Sequence, residues 1–507
     1  MVSKPGMNDI AEKRKTRTSN DWNVARSRYK FPRHKQGHKF KKWSNALVSR
    51  SNPLDKSTID KLKDIVGPDY VADKDYDLIA YSRAWSYEGP LQPDVIVIPG
   101  STEEVSQGMK LANEVDTPVT VRAGGTTTTG MALPRHGGIV LDLNRMNTIY
   151  GIDEDAQAIT MQAGTTVYGL IKYIEQRGWK IPWLPEFGGG VTIGGWTAFN
   201  GMGAGGAIYG RVGDFIVGLQ VVLPTGEIVR TGSASFKGAK QFARYLGTGP
   251  DLTGLYLNSL GVSGVMTEVT MRVYPIPEAL DCISFGFDTA EDAQEGMKKL
   301  MRANIAYGIT CVDDEMFKTI SLPPPAPWIV QLFAEGWKEE VEFRIAKARQ
   351  IIAEANLGKE LPSNTIKMLW GGARGTSLRA KPPKRYFCVG CFHSMDTTAD
   401  VFNVYNSVGD KYGMNRGRLG WSCQTYANAF PVYVYDELND GPEVAAQATK
   451  EVREGWTAAG AVPDYPGPNP DCTPHIVPEY LAFWSRIKTA LDPNHVMHRG
   501  QSPVVDK

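Results

Sequence analysis

The sequence has little cysteine, no excess of charge of either sign and no long hydrophobic run. Its six cysteines are irregularly spaced over 507 residues, which does not suit a disulfide framework and indicates a reducing compartment. Lys and Arg number 56 against 55 Asp and Glu, so no global attraction to nucleic acid or membrane is expected. No apolar run approaches the ~20 residues of a membrane-spanning helix, and none follows the N-terminal charges as in a secretory signal. We therefore expect a cytoplasmic protein that is not transmembrane.

Two phosphate-binding motifs are missing or incomplete. No glycine-rich loop ends in Gly-Lys-Ser/Thr, so a P-loop is excluded. The run Gly201-Met-Gly-Ala-Gly-Gly206 matches the G-x-G-x-x-G pattern of dinucleotide-binding folds. However, residues 196–200 before it do not predict a strand and residues 209–213 after it do not predict a helix. The sequence therefore argues against a Rossmann site at this position.

Cys388 and Cys391 form a C-x-x-C pair whose ligand set is incomplete. A zinc or iron–sulfur site needs further ligands at short spacing, and only the distant Cys423 and Cys472 follow. A metal site and a redox pair stay open as alternatives. Because residues 386–389 predict a strand, we expect buried thiols.

The length exceeds what one hydrophobic core supports, so two or three domains are expected. We predict a basic arm over residues 1–50, a domain over 51–277, a second domain over 278–480 and a C-terminal return to the first domain over 481–507. Strands and helices alternate between residues 94 and 174, which indicates a small α/β subdomain. The prolines of Tyr274-Pro-Ile-Pro277 mark the boundary before the second domain, where helices and strands mix.

The basic arm holds 14 Lys and Arg against 3 Asp and Glu, with almost no apolar periodicity. One interpretation is a solvated, partly disordered segment. The other is a docking arm for an acidic partner subunit or a membrane surface. Nucleic acid is not favoured as a partner, since no basic domain follows.

Two glycine-rich stretches indicate a phosphate-bearing ligand. A predicted strand over residues 118–122 runs directly into Gly124-Gly-Thr-Thr-Thr-Thr-Gly130, whose successive N–H groups and hydroxyls suit a pyrophosphate. A hydroxyl-rich turn without a ligand is the alternative. Residues 188–206 contain nine glycines in nineteen positions, at roughly 1 kcal/mol each for regular structure. We interpret both as bare backbone against which a large flat cofactor lies.

Several short motifs follow one another in a fixed order along the chain. They are Arg122-Ala-Gly-Gly-Thr126, Thr192-Ile-Gly-Gly195, Tyr209-Gly-Arg-Val-Gly-Asp214, Val221-Val-Leu-Pro-Thr-Gly226, Pro250-Asp-Leu-Thr-Gly254, Leu260-Gly-Val-Ser-Gly-Val-Met-Thr-Glu268 and Leu491-Asp-Pro-Asn494. In these motifs the chain resembles FAD-linked oxidoreductases of the vanillyl-alcohol oxidase and p-cresol methylhydroxylase superfamily, which includes glycolate oxidase FAD subunits and FAD-dependent D-lactate dehydrogenases. The resemblance is strong over about residues 90–275, moderate in the C-terminal helix and poor between them.

This resemblance implies an α+β fold with a two-subdomain FAD-binding domain of the p-cresol methylhydroxylase type and an α+β cap domain for the substrate. The residues that it implies for FAD binding are Arg122, Gly124, Gly125, Thr126, Thr127, Thr128, Pro185, Gly188, Thr192, Gly194, Gly195, Ala198, Gly264 and Val265. Many relatives attach the flavin through a histidine at the position of Thr126. We therefore expect non-covalent FAD, with a link from His393 or His475 as the remaining alternative.

The implied activity is hydride transfer from a CH–OH group of a hydroxy acid or other alcohol to flavin N5, followed by reoxidation by an external acceptor. Two motifs that occur in members of this family are missing from the chain, and their absence bears on the substrate and on metal binding. Ala461-Val-Pro-Asp-Tyr465-Pro-Gly lacks the Tyr-Arg pair that binds phenolates, and no His-x-Gly-Asp-Gly-Asn-x-His metal motif occurs, so no metal is predicted. An aromatic alcohol oxidase, or a flavin-bearing subunit that depends on a partner, are the alternatives.

Candidates for acid–base catalysis or anion binding are His393, Arg374, Tyr426 and His475. A basic cluster is a further candidate for holding a carboxylate or phosphate, with a solvated loop as the alternative; it comprises Arg374, Arg379, Lys381, Lys384 and Arg385. The expected partners are a small-molecule substrate and an electron acceptor, with a homo-oligomer as a further option.

Overall fold

In the computed structural model of the protein, the described residues are 54–84, 86–127, 130–183, 185, 189–203, 205–247, 249–319, 323–362, 384–417, 419–423, 425–429, 432–436, 440–463 and 475–501. The basic arm over residues 1–50 lies outside these ranges. Three of the candidate site residues, Thr128, Gly188 and Arg374, lie outside them as well.

The first part of the described chain extends to Pro275. Its strands are β1 Val71–Ala72, β2 Val95–Val97, β3 Val119–Arg122, β4 Ile139–Asp142, β5 Ile149–Asp153, β6 Ala158–Gln162, β7 Trp179–Lys180, β8 Ile216–Val222, β9 Ile228–Arg230, β10 Val265–Arg272 and β11 Tyr274–Pro275. Its helices are α1 Lys56–Val66, α2 Asp75–Tyr81, α3 Thr102–Glu114, α4 Val167–Glu175, α5 Ile193–Phe199 and α6 Gly206–Tyr209.

The remainder begins with a long strand directly after the predicted boundary. Its strands are β12 Ala279–Phe287, β13 Gly308–Asp313, β14 Trp328–Gly336, β15 Lys359–Glu360, β16 Lys384–Cys388, β17 Cys391–Ser394, β18 Asn415–Gly417, β19 Leu419–Cys423, β20 Tyr426–Ala429, β21 Val432–Asp436 and β22 Val462–Pro463. Its helices are α7 Ala290–Arg302, α8 Asp314–Thr319, α9 Lys338–Ala355, α10 Thr398–Lys411, α11 Pro442–Ala458 and α12 Pro478–Leu491.

The first sheet has the strand order β1-β2-β4-β3, with β4 parallel to both β2 and β3. β2 and β4 are buried along their whole length, as expected for strands covered on both faces. Ser101 caps α3 by accepting a hydrogen bond from the Glu104 N–H at 3.1 Å, and this helix buries Val105 and Met109 against the sheet. β3 lies at the edge of the sheet, where residues 496–498 extend it.

The second sheet is antiparallel, with the order β5-β6-β10-β8-β9. Beneath it lies an aromatic cluster in which Trp183 is edge-on to Trp196 and Phe215, at centroid distances of 5.0 and 6.1 Å. α4 covers the same core through Val167 and Leu170. Two separate cores thus flank the segment that carries both glycine-rich stretches.

The third body is built on the eight-stranded sheet β15-β12-β14-β13-β19-β20-β17-β22 and a small sheet β16-β21-β18. Helices α7, α9, α10 and α11 bury their apolar faces in one core with it. Trp456 of α11 is fully buried and donates its indole N–H to the Val401 carbonyl of α10 at 2.8 Å. The fold is therefore α+β, as the sequence predicted.

One helix was not predicted from the sequence. The expectation that residues 196–200 do not form a strand is confirmed, since α5 runs through Ile193–Phe199. Thr192 caps it by accepting from the Gly195 N–H at 3.4 Å, and Asn200 ends it in the left-handed conformation. Two glycines in its first turn are tolerated because this cap and the buried Trp196 stabilise the helix.

Candidate functional site

One deep cavity lies where the first two sheets, the C-terminal tail and strand β16 meet. Most of the sequence-predicted FAD residues line it: Arg122, Gly124, Gly125, Thr126, Thr127, Pro185, Thr192, Gly194, Gly195, Ala198 and Gly264. Val265, the first residue of β10, is buried in the neighbouring core rather than in the cavity wall. Residues separated by up to 142 positions in the sequence therefore share one wall.

The phosphate loop, residues 123–130, begins where β3 ends at Arg122. Gly125 has a φ of +59°, in the left-handed region that favours glycine. Among the described residues, none accepts a hydrogen bond from the backbone N–H groups of Gly124, Gly125 or Thr126. Successive N–H groups without a protein acceptor form a nest for an anion.

Arg122 places a cation beside this nest. Its guanidinium donates to the carbonyl oxygens of Tyr81 and Arg83, both at 3.4 Å, and lies 5.0 Å from the centroid of the Tyr81 ring. Burial lowers the pKa of Arg122 from its ordinary value, but a guanidinium stays charged in proteins. The side chain thus supplies a fixed positive charge next to the loop.

The two glycine-rich stretches touch each other. A β-carbon at Gly124 would lie 1.8 Å from the carbonyl oxygen of Gly190, and one at Gly190 would lie 3.1 Å from the Thr126 methyl group. Glycine is therefore required at position 124 so that one stretch can pack directly on the other.

Several glycines of the second stretch are required by protein packing, whereas the sequence analysis interpreted this stretch as backbone that faces the cofactor. A β-carbon at Gly194 would lie 2.6 Å from that of Ala163, and one at Gly203 would lie 2.2 Å from the Trp183 ring. A β-carbon at Gly205 would meet both Trp183 and Tyr307. The glycines at these three positions make room for neighbouring protein groups rather than for the cofactor.

The composition of the wall fits FAD. Free N–H donors and the Arg122 cation suit a pyrophosphate, while Met131, Met202 and Leu260 supply apolar surface for a flat ring system. A β-carbon at Gly195 would meet only the Thr192 hydroxyl within 4 Å, so this backbone is open to a ligand.

Several residues that line the cavity were not predicted from the sequence. Cys388 at the end of β16 lines the cavity and is half-buried, whereas Cys391 in β17 is fully buried. The expectation of two buried thiols is therefore correct for Cys391 only. His498 and Gly261 also line the cavity. Nothing in the local sequence around Cys388 or His498 pointed to the site, because both come from distant parts of the chain.

The catalytic candidates do not line the cavity. His393 is buried in β17, its Nδ1 lies 2.9 Å from the Ser394 carbonyl oxygen, and burial lowers its pKa. Tyr426 on the adjacent strand packs against a cluster that contains Met202, which does line the cavity. His475 is exposed just before α12. Arg374 lies outside the described residues, as do Arg379 and Lys381 of the basic cluster; only the backbone of Lys384 and Arg385 is described, in β16.

Within the described ranges, no group of three His, Cys, Asp or Glu side chains could hold a metal ion. None of the helices in the same ranges is both long and apolar enough to cross a membrane.

Comparison with known proteins identifies an FAD binding domain in the part of the chain that carries most of this site. Residues 93–232 match the FAD binding domain family. Glycolate oxidase subunit GlcD of Bacillus subtilis is 26% identical over 467 residues, which is 88% of this chain and 97% of that protein. The mitochondrial cytochrome-dependent D-lactate dehydrogenase of Arabidopsis thaliana is 32% identical over 231 residues, but this covers only 45% of the chain and 39% of that protein.

Solved structures agree on the fold. p-Cresol methylhydroxylase with substrate bound superposes with a TM-score of 0.78 over 89% of this chain and 96% of that one, at 18% identity. Alkyldihydroxyacetonephosphate synthase gives a TM-score of 0.70 over 88% and 86%, also at 18% identity. The chain therefore carries an FAD binding domain over residues 93–232 and has the fold of p-cresol methylhydroxylase.

Proposed function

We propose that this enzyme oxidises the CH–OH group of a small hydroxy acid or a related alcohol. The observation that carries the proposal is the similarity to GlcD, which spans 97% of that protein and therefore includes the second half of the chain. The structures of phenol-oxidising relatives share only the fold at 18% identity. The absence of a Tyr-Arg pair in Ala461-Val-Pro-Asp-Tyr465-Pro-Gly further disfavours phenols.

Residues 51–277 bind the cofactor in this proposal, residues 278–480 cover the substrate, and residues 481–507 return to the first domain. Bound FAD would supply the hydride acceptor of the reaction. The N–H groups of Gly124, Gly125 and Thr126 would hold its pyrophosphate beside Arg122. Met202 and Cys388 line the same cavity, and Met202 also belongs to a buried cluster with Cys282 and Phe333 of the second half of the chain. Thr126 stands where relatives carry a linking histidine, so the cofactor is held without a covalent bond there.

His393 is our first candidate for the base that removes the hydroxyl proton. Its Nδ1–H donates to the Ser394 carbonyl, which leaves Nε2 with a lone pair. Because burial lowers the pKa of this imidazole, the ring is neutral at pH 7 and able to accept a proton. Tyr426, on the adjacent strand, is the second candidate because it packs against the buried cluster that contains Met202. His475 and Arg374 remain candidates for anion binding, together with the basic cluster that contains Arg374.

A flavin-bearing subunit that works with a partner is the second candidate function. The similar B. subtilis protein is named as a subunit of glycolate oxidase, and residues 1–50 carry 14 Lys and Arg against 3 Asp and Glu. Such an arm suits an acidic partner. The sparse cysteines favour the cytoplasm as the location.

Anaerobic reduction of the flavin tests both candidates. The purified FAD-loaded chain is mixed under argon with a panel of short 2-hydroxy acids, primary alcohols and para-substituted phenols, and bleaching of the flavin absorbance near 450 nm is followed. We expect bleaching by hydroxy acids, at a rate reduced by at least about tenfold in His393→Ala but not in His475→Ala. Bleaching by phenols alone would contradict the proposed substrate class. No bleaching until a partner subunit is added would support the second candidate.

A further inference from the structure

We propose that His498 and Gln501 form a clasp that fixes both ends of the phosphate loop and thereby sets the affinity for the pyrophosphate of FAD. The proposal concerns cofactor affinity and is independent of the substrate class proposed above. It assigns a positioning role to a tail more than 360 residues away from the loop in the sequence.

The first contact holds the strand that leads into the loop. Residues 496–498 run along the free edge of β3: the Val119 N–H donates to the Val496 carbonyl at 2.8 Å, and the His498 N–H donates to the Val119 carbonyl at 2.8 Å. Two residues further on, the Val121 N–H points to the same side of the strand. It donates to Nε2 of the His498 ring at 3.0 Å instead of to backbone. The imidazole thus takes the place of the backbone carbonyl that would otherwise accept from Val121, the residue before Arg122.

The second contact holds the segment that follows the loop. Nδ1 of His498 lies 2.8 Å from Oε1 of Gln501, and Nε2 of Gln501 donates a short hydrogen bond to the Leu133 carbonyl. Both side chains are almost completely buried, with 2% and 1% of their surface exposed. Leu133 follows Met131 and Ala132, which line the cavity. The pair therefore connects Val121, just before the loop, to Leu133, just after it.

These bonds require one form of the imidazole. Nε2 must carry a lone pair to accept from Val121, so the proton resides on Nδ1 and is donated to Gln501. Burial lowers the pKa of His498 to about 4, which keeps the ring in this neutral form at physiological pH. Gly261, with a φ of +90°, lies against the ring, and a β-carbon there would be 2.6 Å from Nε2. The absence of a side chain at position 261 thus leaves room for the imidazole.

The described part of the loop, residues 123–127 and 130, is rich in glycine. It contains Gly124, Gly125 and Gly130, and two of these have positive φ. The N–H groups that face the ligand have no partner among the described residues. Glycine-rich backbone loses much conformational entropy when it binds a ligand. Fixing both ends in advance lowers that cost, so the clasp is expected to tighten the binding of any pyrophosphate ligand.

The test uses the full-length chain stripped of FAD, with Kd for FAD and for ADP measured by calorimetry and the melting temperature of each apoprotein measured in parallel. We expect His498→Ala to raise both Kd values about tenfold or more. His498→Gln places an amide oxygen near the position of Nε2 and is expected to recover at least part of the affinity. Arg499→Ala is the matched control, because Arg499 in the same tail bonds to the exposed Asp116 at 2.8 Å; its Kd values should equal those of the wild type.

Gln501→Glu serves as a second variant if His498→Ala does not fold. It keeps the acceptor for His498 but loses the donor to Leu133, and we expect both Kd values to rise in the same way. The proposal is overturned if folded His498→Ala or Gln501→Glu binds FAD and ADP within twofold of the wild type. A lowered melting temperature with unchanged Kd would equally overturn it, since this is the result of a purely structural role. Equal losses in His498→Gln and His498→Ala would also contradict the hydrogen-bonding role assigned to Nε2.

Discussion

At position 124 there is no room for a side chain, because a β-carbon would lie 1.8 Å from the Gly190 carbonyl oxygen. Overfilling a packed site of this kind costs about 1–3 kcal/mol. We therefore expect Gly124→Ala to lower the free energy of unfolding by that amount and to weaken FAD binding, because the two glycine-rich stretches must move apart. Urea unfolding and an FAD titration measure the two effects.

Gly108 in α3 provides the control for this substitution. A β-carbon there meets no other atom within 4 Å, and its φ is not in the left-handed region. Alanine in a helix interior is favoured over glycine by roughly 0.5–1 kcal/mol. Gly108→Ala should therefore raise stability slightly and leave FAD binding unchanged. Equal effects at both positions would refute the assignment of a specific clash to Gly124.

His498 gives the protein a defined dependence on pH. Its pKa is about 4 in the folded state against an ordinary value of 6.5, so the folded protein binds fewer protons than the unfolded chain between these values. The free energy of unfolding therefore falls as the pH drops below 6.5, and the full contribution is lost near pH 4. From pH 7 to pH 5 the loss from this group is about 2 kcal/mol.

The variant His498→Gln isolates this contribution in urea unfolding at pH 7 and pH 5. Burial also lowers the pKa of His393, which acts in the same direction, but His393 is present in both proteins and its effect cancels in the comparison. We expect the variant to lose less stability than the wild type on acidification. A wild type and a variant with the same pH dependence would show that His498 does not titrate in this way.

At the scale of elements, α12 is anchored by charge rather than by its apolar side chains. Lys488 is 1% exposed and its Nζ donates to Asp492 Oδ2 at 2.5 Å, to the Val262 carbonyl at 3.0 Å and to the Met497 carbonyl at 3.2 Å. Removing one partner of a buried pair leaves the other charge uncompensated, at a cost of about 3–5 kcal/mol. Lys488→Met should therefore destabilise the protein by this amount, as measured by chemical unfolding.

An exposed pair supplies the matched comparison for Lys488. Arg349 and Glu360 form two hydrogen bonds at 2.6 and 2.9 Å, but both side chains are about half exposed. Exposed pairs contribute at most about 1 kcal/mol. Arg349→Met should thus have a small effect. If Lys488→Met were equally mild, the buried contacts of Lys488 would not be what fixes the C-terminal helix.

The same helix shows where sequence patterns succeed and fail. In the sequence, the spacing of Tyr480, Leu481, Trp484, Ile487 and Leu491 predicts a helix with these residues on one apolar face, and the helix itself is confirmed over Pro478–Leu491. The predicted apolar face is not the buried one, however, because Tyr480 is 59% exposed whereas Lys488 is buried. Hydrophobic periodicity predicts that a lysine is exposed. It does not take into account that Asp492 and two backbone carbonyls accept hydrogen bonds from Lys488 in the folded protein. α5 was missed for a similar reason, since its stability depends on a cap and on burial of Trp196.

For the molecule as a whole, the part of the site that is continuous in sequence was the part that could be predicted. The strand β3 and the phosphate loop are local, so their motifs identify them. Cys388 and His498 reach the cavity only through the arrangement of whole sheets and of the tail. The fold class followed from the order of several weak motifs, because each alone is common but their succession is typical of one family.

The two large parts of the chain are joined by a buried charged contact at Glu335 in β14. Lys180 of β7 forms a short ion pair with its Oε2, and the Tyr209 hydroxyl donates to its Oε1 at 2.8 Å. Burial lowers the pKa of Lys180 and raises that of Tyr209. Glu335→Leu should leave Lys180 buried without a counter-ion, at a cost of about 3–5 kcal/mol.

Lys180 and Tyr209 belong to the first part of the chain and Glu335 belongs to the second. The loss of stability in Glu335→Leu should therefore weaken the contact between the two parts. We expect calorimetry to show one unfolding transition for the wild type and two for Glu335→Leu, with the lower one assigned to the part whose contact was weakened. Glu360→Leu is the control, since Glu360 is also ion-paired but is exposed and bonds to Arg349 within the second part. It should retain one transition at nearly the original temperature. A single transition for Glu335→Leu, shifted no further than that of Glu360→Leu, would mean that apolar contacts alone couple the two parts.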